Sequence, residues 1–187
     1  AFNPFNLKTK ATSNSGKYSI DGEKTLVILG ETADLLLVNA ELHGSPEVFI
    51  VKRDNSITAK KSTAMGMKAA ETVTLKFNQT PAELLGDEDF NYPAFLDLGN
   101  LMWCAMAVGT CEAVKAYCIQ YANERTAFGE PISHRQSVAF MIADMAIEID
   151  AMRMLILNAA SLAEAGQTFH REAYLARLLC AEKSMQI

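Results

Sequence analysis

The sequence predicts an α+β protein: an antiparallel, β-barrel-like domain over residues 1–88, then a partial bundle of long helices over 89–187. Three observations predict it. Short strand-like runs recur before residue 90, separated by turn residues. The chain changes character near residue 90 and then reads as long helices. A heptad stripe of apolar residues runs from Val138 to Ala159.

The strand-like runs come in order. Lys17–Ile20 and Lys24–Leu29 flank Asp21-Gly22, a strong short hairpin signal. Leu35–Ala40, Glu47–Val51, Ile57–Lys60 and Glu71–Phe77 follow. Gly44-Ser45-Pro46 and Asp54-Asn55-Ser56 punctuate them. Short strands at even spacing suit a small antiparallel barrel or sandwich.

The helical part begins near Tyr92, with Pro93 acceptable in a first turn. Within Tyr92–Asn123 only Gly99 and Gly109 weaken the helix. Ala127–Pro131 is a break. Val138, Ile142, Met145, Ile149, Met152, Ile156 and Ala159 then step by four and three alternately, the pattern of a helix packed in a bundle. Gly166 ends that helix, and another starts around Phe169. Met141, Met145, Met152 and Met154 fall on or beside the stripe and read as core packing.

Composition narrows the class. Half of the 187 residues are hydrophobic and the net charge is −5, as in a soluble globular protein. The negative charge argues against nucleic acid or an anionic membrane, which need clustered cations. No apolar run is expected to reach the ~20 residues of a membrane span. Residues 1–16 lack the basic start and apolar core of a signal peptide. A first residue that is not Met and a last segment without a stop signal lead us to expect a fragment. Cys104, Cys111 and Cys118 are spaced by seven on one helix face. That is ~10.5 Å at the helical rise, too far for a disulfide or a shared zinc. They read as small core residues in a reducing compartment, the cytoplasm or the mitochondrial matrix. No metal site is expected.

The most specific segment is Tyr121–Gln136, YANERTAFGEPISHRQ. It resembles the helix junction of the acyl-CoA dehydrogenase family, where an Arg, a Phe-Gly and a Gln grip the flavin of a neighbouring subunit. Arg125, Phe128-Gly129 and Gln136 match that spacing. The residue types suit the task. Arg offers a planar fork to a pyrophosphate, Phe128 an apolar face, and Gln136 a donor and an acceptor. The continuation with Ala143-Asp144-Met145 also resembles the family's next helix. Ser19–Ala40 resembles its flavin-bracketing hairpin, and Met65–Gly86 its exit strand and loop.

The resemblance implies FAD as cofactor and an acyl-CoA thioester as substrate. A Glu takes the α proton while hydride leaves the β carbon for the flavin. It also implies a homodimer or dimer of dimers, or a hetero-oligomer with an active subunit. Asp97 matches a family Asp that lies near the bound acyl-CoA; an acid also suits the positive end of a helix.

The departures cluster. Leu26 and Ile28 stand where the family carries Trp and Thr beside the flavin. Ala1, Phe2 and Asn3 replace a Gly-Ser-Asp, and Lys68-Ala69-Ala70 an Arg-x-Ser. Each loses a polar group worth roughly 1–3 kcal/mol if its partner is left buried and unpaired. By the resemblance, most members carry the catalytic Glu in a late C-terminal loop beyond residue 187, and the Glu and Arg that a minority carry on the first long helix are Gly99 and Asn100 here, so no catalytic residue is expected in this chain. Three readings stay open: part of an ordinary enzyme, a non-catalytic relative with a degenerate flavin site, and, least favoured, a helical interaction module that only shares the bundle patterning.

Overall fold

The computed structural model describes residues 3–63, 65–66, 68–86 and 90–187. Ala1, Phe2 and the domain boundary expected at 88–89 lie outside the described residues. The chain forms two compact units, Ala1–Tyr92 and Pro93–Ile187.

The first unit is a strand ring: β1 (Lys10–Asn14), β2 (Lys17–Val27), β3 (Leu35–Leu42), β4 (Ser45–Lys52), β5 (Ile57–Lys61) and β6 (Val73–Leu84). The sheet order is β2-β1-β3-β4-β6-β5, and β2 also pairs with β6. The ring therefore closes through β2, β1, β3, β4 and β6, which covers edges that an open sheet would expose. Side chains alternate along β3: Leu36, Val38 and Ala40 point inward, Leu35 and Leu37 outward. Phe49, Phe77, Ile20 and Leu75 fill the centre.

Asp21-Gly22 is not a hairpin turn. β2 runs unbroken from Lys17 to Val27, and the hairpin lies earlier, between β1 and β2, with Ser15 and Gly16 at positive φ. Asp21 instead stands between the Ile20–Thr80 and Gly22–Phe77 pairs, opposite the two residues Asn78-Gln79, so the strand carries on past a bulge in β6. The Asp21 carboxylate accepts the Gln79 backbone N–H at 2.8 Å. Gly22 has φ +135 and lies so close to Thr9 that a Cβ would sit 2.8 Å from its Cα. Gly22 is needed here for its φ and its closeness to Thr9, as a Gly would be in a tight turn, so sequence alone does not separate the two. The same bulge lets β6 continue through Pro81 to Leu84, past the expected end at Phe77. Gly44 does mark a hairpin turn, with His43 and Gly44 both at positive φ between β3 and β4.

The second unit contains α1 (Tyr92–Glu124), α2 (Gln136–Glu164) and α3 (His170–Gln186). The expected stripe faces inward: Ile149, Met152 and Ala159 are buried and the rest half-buried. They meet Leu101, Cys104, Val108 and Cys111 of α1 and Ala173, Ala176 and Cys180 of α3. The methionines divide. Met152 is buried and Met145 half-buried, but Met141 and Met154 are exposed. Polar ties hold the helices in register: Arg153 to Glu112 at 2.6 Å and Lys183 to Glu148 at 2.7 Å. Gly166, at φ +67, closes α2. By length and composition α1 could cross a membrane, contrary to the expectation above. Its inner face packs in the bundle core, and Asp97, Glu112 and Lys115 lie along it.

Candidate functional site

The junction between α1 and α2 is a miniature hairpin. β7 (Thr126–Ala127) pairs with β8 (Glu130–Pro131), leaving Phe128 and Gly129 as the two turn residues. Both have positive φ, +57 and +88, as the tightest twist-matched turns require. Gly adopts this readily, whereas Phe128 is strained by roughly 1–2 kcal/mol. The Ile132 N–H bonds the Arg125 carbonyl at 2.9 Å and closes the base of the turn.

This turn holds Phe128 almost entirely in solvent, 95% exposed, with Arg125 and Gln136 also exposed on either side. Sequence reasoning missed Arg135. Its Nη2 donates to the Ala127 carbonyl at 3.1 Å, and its guanidinium lies 4.9 Å from the Phe128 ring centroid. Arg125 and Gln136 are donor-bearing side chains at the end of a helix pair, a set that suits the diphosphate of a dinucleotide.

Asp97 lies elsewhere. It sits on the second turn of α1, 4% exposed, and both its oxygens accept from His170 Nδ1 at 3.0 Å. His170 opens α3 and its ring packs on Tyr174 at 4.6 Å. Asp97 and Arg125 are separated by nearly the whole of α1. At 1.5 Å per residue that is about 42 Å. The two therefore lie at opposite ends of α1 and not in one pocket within a single chain.

The β unit gathers the departures in one place. Leu26 and Ile28 are 69% and 62% exposed, and neither offers a polar side-chain atom. The Leu29 N–H bonds the Ala70 carbonyl at 3.1 Å, so the Lys68–Ala70 turn lies against this segment. Leu26 and Leu29 have φ +56 and +51. Arg53 anchors the following loop through the Ala33 carbonyl at 2.9 Å and the Gly30 carbonyl. At Gly30 a Cβ would meet Val73 at 2.6 Å. The segment is thus built and braced, but it offers a flavin ring only backbone and apolar contacts. The residues present fit the cofactor at the diphosphate and not at the ring. A Cβ added at Gly99 would meet nothing within 4 Å, so no packing demand explains the missing Glu.

The bundle core holds four free thiols near or within it. Burial pushes the Cys180 thiol up to about 12, and the neighbouring Cys104 adds to the shift. Burial likewise raises Cys104 and Cys111. Protonated buried thiols are inert, as core residues should be.

A strand ring followed in the chain by a three-helix unit with this junction is the architecture of the middle of an acyl-CoA dehydrogenase, and comparison with known proteins agrees. Residues 93–187 match the family model "Acyl-CoA dehydrogenase, C-terminal domain". A Bacillus subtilis (strain 168) protein named "Probable acyl-CoA dehydrogenase YngJ" is 34% identical over 189 residues, 94% of this chain and 50% of that protein. The short-chain specific acyl-CoA dehydrogenase of Megasphaera elsdenii is 31% identical, over 96% of this chain and 51% of its own length. The solved butyryl-CoA dehydrogenase of the same organism superposes with a TM-score of 0.81 at 30% identity, over 96% of this chain and 50% of that one. The chain belongs to the acyl-CoA dehydrogenase family. It spans about half the length of the curated relatives it matches.

Proposed function

We propose that this chain is the central β domain, residues 1–88, and part of the C-terminal helical domain, residues 89–187, of an FAD-dependent acyl-CoA dehydrogenase. The whole protein would oxidise an acyl-CoA thioester between its α and β carbons. The observation that carries this reading is the braced turn that holds Phe128 in solvent between Arg125 and Gln136. An exposed aromatic ring in a strained backbone is retained where something lies against it.

In this reading Arg125 and Gln136 bind the diphosphate of FAD and Phe128 lies against the cofactor. Bound FAD would accept the hydride that leaves the β carbon. The distance of about 42 Å along α1 is why these residues act on a neighbouring subunit's cofactor while Asp97 serves the chain's own acyl-CoA. The chain works in a reducing compartment, the cytoplasm or mitochondrial matrix.

A second reading rests on Leu26 and Ile28. Their apolar exposed side chains favour a non-catalytic subunit with a degenerate flavin site, paired with an active one. Flavin absorbance of the full-length protein after desalting separates the two. Stoichiometric yellow protein that loses colour on Arg125→Gln supports the enzyme reading. Colourless protein supports the degenerate one.

A further inference from the structure

Asp97 is the one charged side chain fully buried among the described residues. Burying a charge costs stability unless it is paired and hydrogen-bonded, and an apolar contact could tie α1 to α3 as well. The Asp97 side chain is 5% exposed, whereas that of its partner, His170, is 53% exposed. No other side chain among the described residues bonds the carboxylate.

A carboxylate only accepts, so Nδ1 of His170 carries the proton of this contact. Nε2 of the neutral ring is left with a lone pair and, among the described residues, no partner. Tyr174, one turn further along α3, steadies the ring at 4.6 Å. Glu172, the acid in the first turn of α3, is engaged by Arg171 at 3.1 Å. A ligand at this end of the bundle therefore meets the imidazole and not the sealed carboxylate.

We propose that His170 contacts the acyl-CoA substrate, its Nε2 accepting an N–H or O–H of the pantetheine arm, and that Asp97 is the positioning residue that holds the ring for it. The inference rests on the reading above in which Asp97 serves the chain's own acyl-CoA, and it moves the contact to a residue on another helix. Phosphate groups offer acceptor oxygens, whereas the amides and hydroxyl of the arm offer the donors that a lone pair needs.

Calorimetric titration of the full-length protein with butyryl-CoA and with S-butyryl-pantetheine, which lacks the nucleotide, tests it. His170→Leu should weaken binding of both about tenfold, the loss of one hydrogen bond. His170→Asn puts its amide where Nδ1 stands, and His170→Gln where Nε2 stands. His170→Asn should therefore keep the bond to Asp97 and melt above His170→Leu, yet bind as weakly. His170→Gln should bind closer to the parent and melt below His170→Asn. A purely structural pair would not give that crossing of binding against stability. A His170→Asn variant that binds like the parent, or binding unchanged in every variant, overturns the inference and leaves the acyl-CoA reading intact. A loss seen with butyryl-CoA and not with S-butyryl-pantetheine places the contact on the nucleotide and overturns it too. A parent that binds neither ligand overturns the acyl-CoA reading itself and the inference with it.

Discussion

His170 Nδ1 stands 3.0 Å from both carboxylate oxygens of Asp97, a residue 73 positions earlier in the chain. The carboxylate is nearly sealed while the imidazole is half-exposed. The buried acid therefore meets its surroundings through the histidine, and α1 is tied to the first residue of α3.

That pairing yields the first prediction. Removing the donor in His170→Ala leaves a buried carboxylate without a partner, which costs about 1–3 kcal/mol. His170→Asn places an amide donor at a similar distance and should recover part of the loss. Asp97→Asn should cost less than His170→Ala, since a neutral amide is cheaper to leave unpaired than a charge. Urea denaturation of the three variants checks the order. Equal stabilities throughout would mean that the contact carries no energy.

Gly99 and Gly109 lie inside α1, and a Cβ on either would meet nothing within 4 Å. Each Gly→Ala change should stabilise the chain by roughly 0.5–1 kcal/mol, because helix propensity rises and no clash opposes it. The increments should add, the sites being far enough apart not to couple. Gly22→Ala should do the reverse, because its Cβ would press on the Thr9 backbone and its φ of +135 disfavours any side chain. Thermal melts that showed all three changes alike would contradict the local geometry.

The buried thiols set a pH limit. An unfolded Cys180 releases its proton near pH 9, whereas the folded one holds it to about 12. Above pH 9 the unfolded state therefore binds fewer protons, and stability falls as pH rises. Cys104 and Cys111 are shifted the same way. Lys183, raised by its bond to Glu148, also loses its contribution as pH climbs through the lysine range. Denaturant midpoints from pH ~8 to ~10.5 should decline, and Cys180→Ala should flatten the decline even if it lowers the starting value. A midpoint independent of pH would show that these thiols ionise freely in the fold.

Much of this was legible in one dimension. The stripe from Val138 to Ala159 is a helix-period pattern, and a helix buries what the pattern marks. The junction residues were legible because Phe128-Gly129 lies between helical runs, where a turn has to fall. Other features need the third dimension. β1 is short and mostly polar, and only its pairing with β2 and β3 makes it a strand. Asp21-Gly22 carried a true signal for positive φ and a false one for a turn, since nothing local announces Asn78-Gln79 across the ladder. Arg135 and His170 act through partners reached by folding, a carbonyl across a turn and a carboxylate on another helix. Neither spacing nor residue type points to those contacts.

The helical unit should self-associate. Met102, Met106, Tyr117, Phe140, Met141, Ile147, Met154 and Leu178 are all more than half exposed. Apolar surface on this scale marks an interface. Sedimentation at micromolar concentration should give a dimer or larger species. Met141→Glu with Ile147→Glu should shift it toward monomer without lowering helix content. A stable monomer in the parent chain would remove the subunit-sharing argument for Arg125 and Gln136.

The last prediction concerns Leu26 and Ile28. Both side chains are exposed, so exchanging them should not disturb the strand ring, and Leu26→Trp with Ile28→Thr should fold. Leu26 already has φ +56, so a tryptophan there inherits a strain the scaffold bears now and adds none of its own. The segment behind them is fixed by Arg53, by the Leu29 to Ala70 bond and by the close fit of Gly30. Only side-chain chemistry should therefore separate this surface from a flavin-binding one. The introduced threonine would supply a hydroxyl and the introduced tryptophan a broad aromatic face. The parent should retain little FAD after desalting, and the double variant should retain more, at least about tenfold in affinity if one hydrogen bond and one ring contact are restored. Flavin fluorescence quenching measures both. A parent that holds FAD stoichiometrically would show that backbone and apolar contacts suffice, and a double variant no better than a colourless parent would place the defect elsewhere than in these two side chains.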